Sequence, residues 1–365
     1  MKTALVHDWL IHMRGGEKVL EAMAELYPDA VIHTLFYRRS GLSPALARMK
    51  IKPSFLHYLP GIRHYYRWLL PFLPWVVSTL KIDSDTDLVI SSSHCVAKGA
   101  DVPPKALHVC YCHTPMRYIW GFEKEYLRHF PKVASALLGS IKNRLREWDN
   151  ENCSRVHHFI ANSENVRRRI REFYGRDAEV IYPPLDLSRF RPAGERKDYY
   201  LVVSAFVPYK RVDIVIQAFN GFDRKLLIVG SGPMSADYRR LRKSENITFL
   251  GPVPDPQLHQ LYAEARALIF PTEEDFGIVP LEAQACGTPV LAYGKGGALE
   301  SVRSGLFFDE QTPDAVRRTV LEFETAKISR AAIPAQVASF DKSCFQSKLK
   351  ELIGRLLAAK EHAIR

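Results

Sequence analysis

"PTEEDFGIVPLEAQACGTPVLAYGKGGALE", residues 271–300, carries both the fold and a candidate site. Pro280 suits the first turn of a helix, and Gly287 suits the cap beyond its end. The apolar run PVLAY, residues 289–293, reads as a strand, with Gly294, Gly296 and Gly297 in a loop at its carboxyl end. Glu282 then lies on the helix and Glu274 in the loop before it, with Phe276-Gly277 between them. The N–H groups of Phe276, Gly277 and Ile278 fall at the helix N-terminus, a positive end suited to phosphate oxygens or sugar hydroxyls. Gly277 lets a ligand approach the backbone. The plain alternative is a surface helix with ordinary acidic residues.

Short apolar runs alternate with helical stretches throughout, which implies α/β structure with parallel sheets. In the first half, strands are expected at 3–7, 30–36, 87–93, 106–112, 157–163 and 178–182. In the second half they are expected at 199–204, 225–230, 247–250, 267–271 and 289–293. The stretch YPPLDLSRFRPAGERKD, residues 182–198, is rich in proline and charge and reads as a linker. The expected architecture is two doubly wound, Rossmann-like domains, 1–184 and 185–338, with a helix over 339–365 that could pack back on the first. Ligands of such sheets sit beyond the carboxyl ends of the strands, which places the expected site in a cleft between the domains.

A chain of 365 residues exceeds one typical core. Its 47% hydrophobic content excludes a mostly disordered protein. The formal net charge of +11 suggests an anionic partner: nucleic acid, a nucleotide or a phospholipid surface. The opening MKTALVHDWLIHMRGG lacks a signal-peptide pattern, Asp8 interrupts its apolar run, and no stretch has the apolar length to span a bilayer. A cytoplasmic protein, or one peripheral at the inner face of the cytoplasmic membrane, is expected. The scattered cysteines are expected as thiols. CYCH, residues 110–113, has no second paired cluster and reads as strand rather than metal site.

Other loops carry weaker signals. Gly15-Gly16 precede an amphipathic helix after the first strand, so they form either an anion-facing junction or a tight turn. Gly230-x-Gly232 begins like a dinucleotide fingerprint, but Ser235 stands where the third glycine or alanine belongs. Lys210 and Arg211 sit at a helix start, against the helix dipole, where a bound diphosphate would offset their cost; taken alone, they read better as two solvated charges on a loop. Asp83, Asp85 and Asp87 could hold a metal but read better as turn residues. His7, His33 and His108 lie inside apolar strands and read as packed or hydrogen-bonded. Residues 55–75, FLHYLPGIRHYYRWLLPFLPW, interleave aromatic and basic side chains, which suits either a membrane interface or ordinary core and loop, while their prolines argue against one long helix.

The stretch EEDFGIVPLEAQACGTPVLAYGKGGALE resembles the two-glutamate motif of family 4 of the retaining glycosyltransferases, which have the GT-B fold. HDWLIHMRGGEKVLEAM, SSSHCVAKG, YCHTPMRYIW, ANSENVRRRI, VPYKRVDIVIQAF and LIVGSGP resemble its O-antigen mannosyltransferase branch. The resemblance implies a role for each matching residue. Glu282 would hold the donor ribose. Glu274 would bind the transferred sugar, helped by the amides of Phe276, Gly277 and Ile278. Lys210, with Arg211, would stabilise the departing diphosphate. Ser204 and Gly230 would face the donor. His113 would sit at the reacting sugar, and Gly15 and Gly16 would approach the phosphates or the acceptor. Many relatives carry an arginine where this chain has Ala205, so one diphosphate contact is either missing or supplied by Arg211.

The resulting expectation is a metal-independent hexosyltransferase of cell-surface glycan synthesis, such as lipopolysaccharide synthesis, with no cofactor. The donor would be a nucleotide sugar, GDP-mannose first and UDP-sugars second. The acceptor would be a polyprenyl-diphosphate-linked sugar or a polysaccharide. Contact with an anionic membrane is expected and contact with nucleic acid is not. The competing readings are a nucleic-acid-binding protein, suggested by the charge, and a non-catalytic nucleotide-sugar-binding protein, suggested by Ala205.

Overall fold

Leu5, Ile90 and Val109 face one core, while Ala4, Val6 and Val89 face a second and Cys110 and Cys112 a third, so the same three strands are covered on both sides. That is why their sequences read as continuous apolar runs. The computed structural model describes residues 1–121 and 132–364; Arg365, the last residue of the expected C-terminal helix, lies outside them. The chain divides into two units, Met1–Pro184 with Ser343–Arg365, and Leu185–Lys342.

In the first unit the strands are β1 (Thr3–His7), β2 (Val31–Thr34), β3 (Lys50–Pro53), β4 (Leu88–Ser93), β5 (Leu107–Cys112), β6 (His158–Ala161) and β7 (Ala178–Val180). They form one parallel sheet in the order β3-β2-β1-β4-β5-β6-β7. The helix Lys342–Ile364 brings Phe345, Leu349, Leu352 and Ile353 into a core with Leu5, Leu20 and Met23. Burying side chains of this kind contributes roughly 1.5–3 kcal/mol each, enough to hold the helix in place.

In the second unit the strands are β8 (Tyr200–Val203), β9 (Leu226–Val229), β10 (Ile247–Gly251), β11 (Ala267–Phe270), β12 (Val290–Tyr293) and β13 (Gly305–Phe308). Their order is β10-β9-β8-β11-β12-β13, again parallel. The proline-rich stretch enters this unit at Leu185, whose N–H donates to the Phe340 carbonyl at 2.8 Å and whose carbonyl accepts from Lys342 at 3.0 Å.

Two strands, β3 and β13, were not expected from the sequence, and each lies at the edge of its sheet. An edge strand is buried less: β3 reads KIKP and has no buried residue, and in the four-residue GLFF of β13 only the last residue is buried. The aromatic stretch 55–75 is broken as its prolines demand. It folds into the short helical turns Phe55–Tyr58, Ile62–Tyr65 and Tyr66–Leu69, followed by Leu73–Ser78. Among the described residues no helix is long and apolar enough to cross a membrane.

The strand order reverses between β1 and β4 in the first sheet and between β8 and β11 in the second. Loops leaving adjacent strands at such a switch point diverge to opposite faces and leave a crevice at the carboxyl ends. The loops of interest are therefore those after β1 and β4, and those after β8 and β11.

Candidate active site

The loop after β8 delivers Lys210, and the loop after β11 delivers Glu274. Their side chains form an ion pair, 17% and 21% exposed. The two loops are also tied through the backbone. The Thr272 hydroxyl donates to the Lys210 carbonyl at 3.0 Å, and the Gln311 side-chain amide donates to the Pro271 carbonyl at 2.7 Å. Arg211 turns elsewhere. Its guanidinium donates to the side-chain and backbone oxygens of Gln311, both at 3.3 Å, and lies 3.4 Å from Asp213. Arg211 has φ of 51°, the one positive value among the described non-glycine residues, and it directly precedes the helix Val212–Phe219. A strained backbone thus separates two neighbouring cations and sends them to different partners.

Glu274 is fixed from the far side by the glycine loop after β12. The Gly297 N–H donates to the Glu274 carbonyl at 2.8 Å, and Gly296 pairs with Glu274 in an isolated parallel bridge. A Cβ on Gly296 would run into the Glu274 carbonyl, and one on Gly297 into the Phe276 backbone. These glycines therefore serve the placement of Glu274. Gly277, at φ 95°, starts the helix Ile278–Ala285, and Gly287, at φ 77°, lies just beyond its end. Glu282 on that helix is 7% exposed and accepts a hydrogen bond from the Tyr262 hydroxyl at 2.9 Å. Burial, reinforced by Glu282, pushes the Tyr262 phenol far up, so it remains a donor.

Gly230 and Gly232 have a structural explanation of their own. Gly230 has φ 137°, and a Cβ there would collide with the Ser204 carbonyl; one on Gly232 would meet the Phe206 backbone. The loop after β9 is thus packed onto residues 204–206, and close packing alone accounts for the glycines. Ala205 between them is exposed.

In the first unit, His113 follows β5, and Gly15 and Gly16 open the helix Gly15–Leu26. A Cβ on Gly16 would lie 3.6 Å from His113 Nε2 and from His7 Cε1, so this helix start sits over both rings. The Ser92 hydroxyl lies between the rings, 3.1 Å from His7 Nδ1 and 2.8 Å from His113 Nε2. At the switch point itself stands Asp8, fully buried. Its carboxylate accepts four backbone N–H bonds, from His94 (2.8 Å), Cys95 (3.0 Å), Val96 (2.6 Å) and Ala97 (2.7 Å). Its Oδ2 is also 3.0 Å from His94 Nδ1.

Of the residues the sequence singled out, Lys210 and Glu274 meet in the second unit while Glu282, on the helix that follows, meets Tyr262, and in the first unit Gly16 lies over His113. Ser92, His94 and the anchoring role of Asp8 were missed. Local spacing carries no signal for a contact between residues 86 positions apart; the carboxylate inside an apolar opening run was the one available clue. Of the histidines expected as packed, His33 and His108 are buried, and burial pushes them down to about 4 and about 3. Asp83 and Asp85 pair with Lys2, and Asp83 also with Lys52, while Asp87 accepts from the Lys2 backbone; all lie before β4, at the amino end of the sheet. Among the described residues no group of three or more His, Cys, Asp or Glu could hold a metal ion.

Comparison with known proteins accords with this arrangement. Residues 13–189 match the model of Glycosyltransferase Family 4, and residues 186–337 match that of Glycosyl transferases group 1. Anabaena HepE in complex with UDP and glucose superposes with a TM-score of 0.69 at 18% identity, over 97% of this chain and 100% of that one. The lipopolysaccharide outer core galactosyltransferase WaaB gives 0.66 at 17% identity, over 97% and 99%. The fold is GT-B. With one model on each unit, the chain belongs to the GT-B glycosyltransferases of the group 1/family 4 type. Among curated relatives, D-inositol 3-phosphate glycosyltransferase of Nocardia farcinica is 36% identical over 178 residues, which is 40% of this chain and 39% of that protein. The match thus spans about two fifths of that relative's length.

Proposed function

We propose that the protein is a retaining hexosyltransferase that uses a nucleoside-diphosphate sugar, with GDP-mannose as donor and a polyprenyl-diphosphate-linked or polysaccharide acceptor. The observation that carries this reading is the meeting of Lys210 and Glu274 at the switch point of the second sheet, with Glu282 on the helix that follows. The relatives support the donor class: one is named a D-inositol 3-phosphate glycosyltransferase, and one neighbour holds UDP and glucose. Mannose rests on the resemblance of stretches such as 7–23 and 111–120 to O-antigen mannosyltransferases.

In this account the sugar–phosphate bond breaks with oxocarbenium character while negative charge grows on the diphosphate. The Lys210 ammonium and the N-terminus of the helix Ile278–Ala285 stabilise that charge, so the reaction proceeds without a metal ion. Glu274 holds hydroxyls of the sugar. Glu282, oriented by Tyr262, holds those of the ribose. His113 stands at the reacting sugar. The acceptor hydroxyl gives its proton to a donor phosphate oxygen, as the family resemblance implies. Arg211 supports the loop through Gln311 rather than replacing the arginine lost at Ala205. The work takes place at the inner face of the cytoplasmic membrane, where the aromatic and basic stretch 55–75 touches anionic lipid.

A thermal-shift panel of GDP-, UDP- and ADP-sugars tests this function, since a ligand that binds the native state raises the midpoint. A rise with GDP-mannose beyond that with the other sugars supports the reading. A panel with no response contradicts the donor class, and a response confined to UDP-sugars overturns the mannose assignment.

A further inference from the structure

The strands β1, β4 and β5 are neighbours, and their register sets His7 beside Ser92 and Ser92 beside Tyr111. Partners in register share a face of a parallel sheet, so the Ser92 hydroxyl projects between the His7 ring and the His113 ring just beyond β5. One hydroxyl therefore serves two imidazoles, at 3.1 Å and 2.8 Å. The other nitrogen of His7, Nε2, is buried without a hydrogen-bond partner.

A serine hydroxyl has a single proton, so the chain of bonds has a direction. If Ser92 donated to His7 Nδ1, the His7 proton would move to Nε2 and stand as a stranded, buried donor. If Ser92 accepted from both rings, its own proton would be stranded. If His7 donates from Nδ1 and Ser92 donates to His113, no donor is stranded, and only a lone pair at His7 Nε2 lacks a partner. A buried donor left without an acceptor is disfavoured by on the order of ten-fold or more in population. We infer that His7 and Ser92 are positioning residues that hold His113 in a single neutral tautomer, with its proton on Nδ1 and with Nε2 engaged as an acceptor. Burial first, and then the nearby His94, push His7 down to about 4 against the weaker pull of Asp8 and Ser92, so His7 stays neutral and keeps its place in the chain.

The consequence for transfer rests on the glycosyltransferase reading, whereas the tautomer itself does not. With Nε2 occupied by Ser92, His113 meets the substrate as a hydrogen-bond donor and not as a base. This leaves the acceptor proton to the donor phosphate.

The test is 15N NMR of the full chain labelled at histidine, with the His113 signals identified by their loss in His113→Gln. The wild type is expected to show a protonated-type shift at Nδ1 and an unprotonated-type shift at Nε2. Ser92→Ala is expected to mix the tautomers and to lower kcat by at least about ten-fold at unchanged donor KM, as wrong-tautomer variants do elsewhere. Ser92→Thr, which keeps the hydroxyl, restores both. A wild-type proton on Nε2, or a tautomer unmoved by Ser92→Ala, overturns the inference even if no variant can be assayed. A shifted tautomer with undiminished kcat overturns the role in transfer alone.

Discussion

The ring of His94 donates from Nδ1 to the buried Oδ2 of Asp8 across 3.0 Å, joining the ends of β1 and β4. Burial pushes the Asp8 carboxyl up, but His94 and the four N–H donors more than offset this and hold it well below the usual range. Burial pushes His94 down, but Asp8, then Glu17, outweigh it and the opposing Arg117, and its value is raised. A depressed Asp8 contributes stability that is present above its ordinary 3.8 and lost as pH falls through its folded value. A raised His94 contributes stability that is present below its ordinary 6.5 and lost as pH rises through its folded value. The pair therefore acts fully between those two ordinary values. Urea unfolding of His94→Gln should show a loss of about 2 kcal/mol near pH 5.5, shrinking above pH 8. An equal loss at both pH values would mean that His94 is not charged in the folded protein.

Two glycine substitutions separate packing from function. Gly16→Ala places a methyl at ordinary contact distance from His113 and His7, inside a helix where alanine is favoured by up to about 1 kcal/mol. Its melting point should equal or exceed that of the wild type while transfer activity falls. Gly297→Ala cannot fit against the Phe276 backbone, so the loop must move and release Glu274. Donor affinity should drop at least ten-fold, on the order of 1.4 kcal/mol. Calorimetry and melting curves on both variants check this, and unchanged donor affinity in Gly297→Ala would remove the glycine loop from the account.

The central strands were legible because parallel strands covered on both faces carry apolar residues in succession rather than in alternation, as ALV does in β1 and LVI in β4. The edges were not, since KIKP in β3 needs no such run. In the second unit Lys210 and Glu274 stood out because each is a charge in a loop at the carboxyl end of an apolar strand, where a ligand of such a sheet would meet it. Glycine told less than expected: Gly230, Gly232, Gly296 and Gly297 are each demanded by backbone packing. The hub of the first unit was hidden for a different reason. Asp8 meets His94, and His7 meets Ser92, only after β4 has been placed beside β1, and a pairing across that distance leaves no periodicity in the sequence.

Tyr58, Trp68, Phe72 and Trp75 are each more than half exposed, all within the turns that span 55–78, with Arg63 and Arg67 among them. Large apolar side chains massed with cations fit an anionic bilayer surface. The protein should sediment with phosphatidylglycerol vesicles and much less with phosphatidylcholine vesicles. A triple variant, Trp68→Ser with Phe72→Ser and Trp75→Ser, should lose this binding while keeping donor affinity. Retained vesicle binding in that variant would place the contact elsewhere.

Titration calorimetry of GDP-mannose against wild type, Lys210→Ala and Glu282→Ala addresses the site most directly. The account predicts saturable binding to the wild type and a loss of at least about ten-fold in each variant, with the fold retained in both and a lower melting point in Glu282→Ala, which leaves the buried Tyr262 hydroxyl without its acceptor. Equal affinity in all three proteins, or variants that bind as tightly as the wild type to every sugar nucleotide tried, would contradict it.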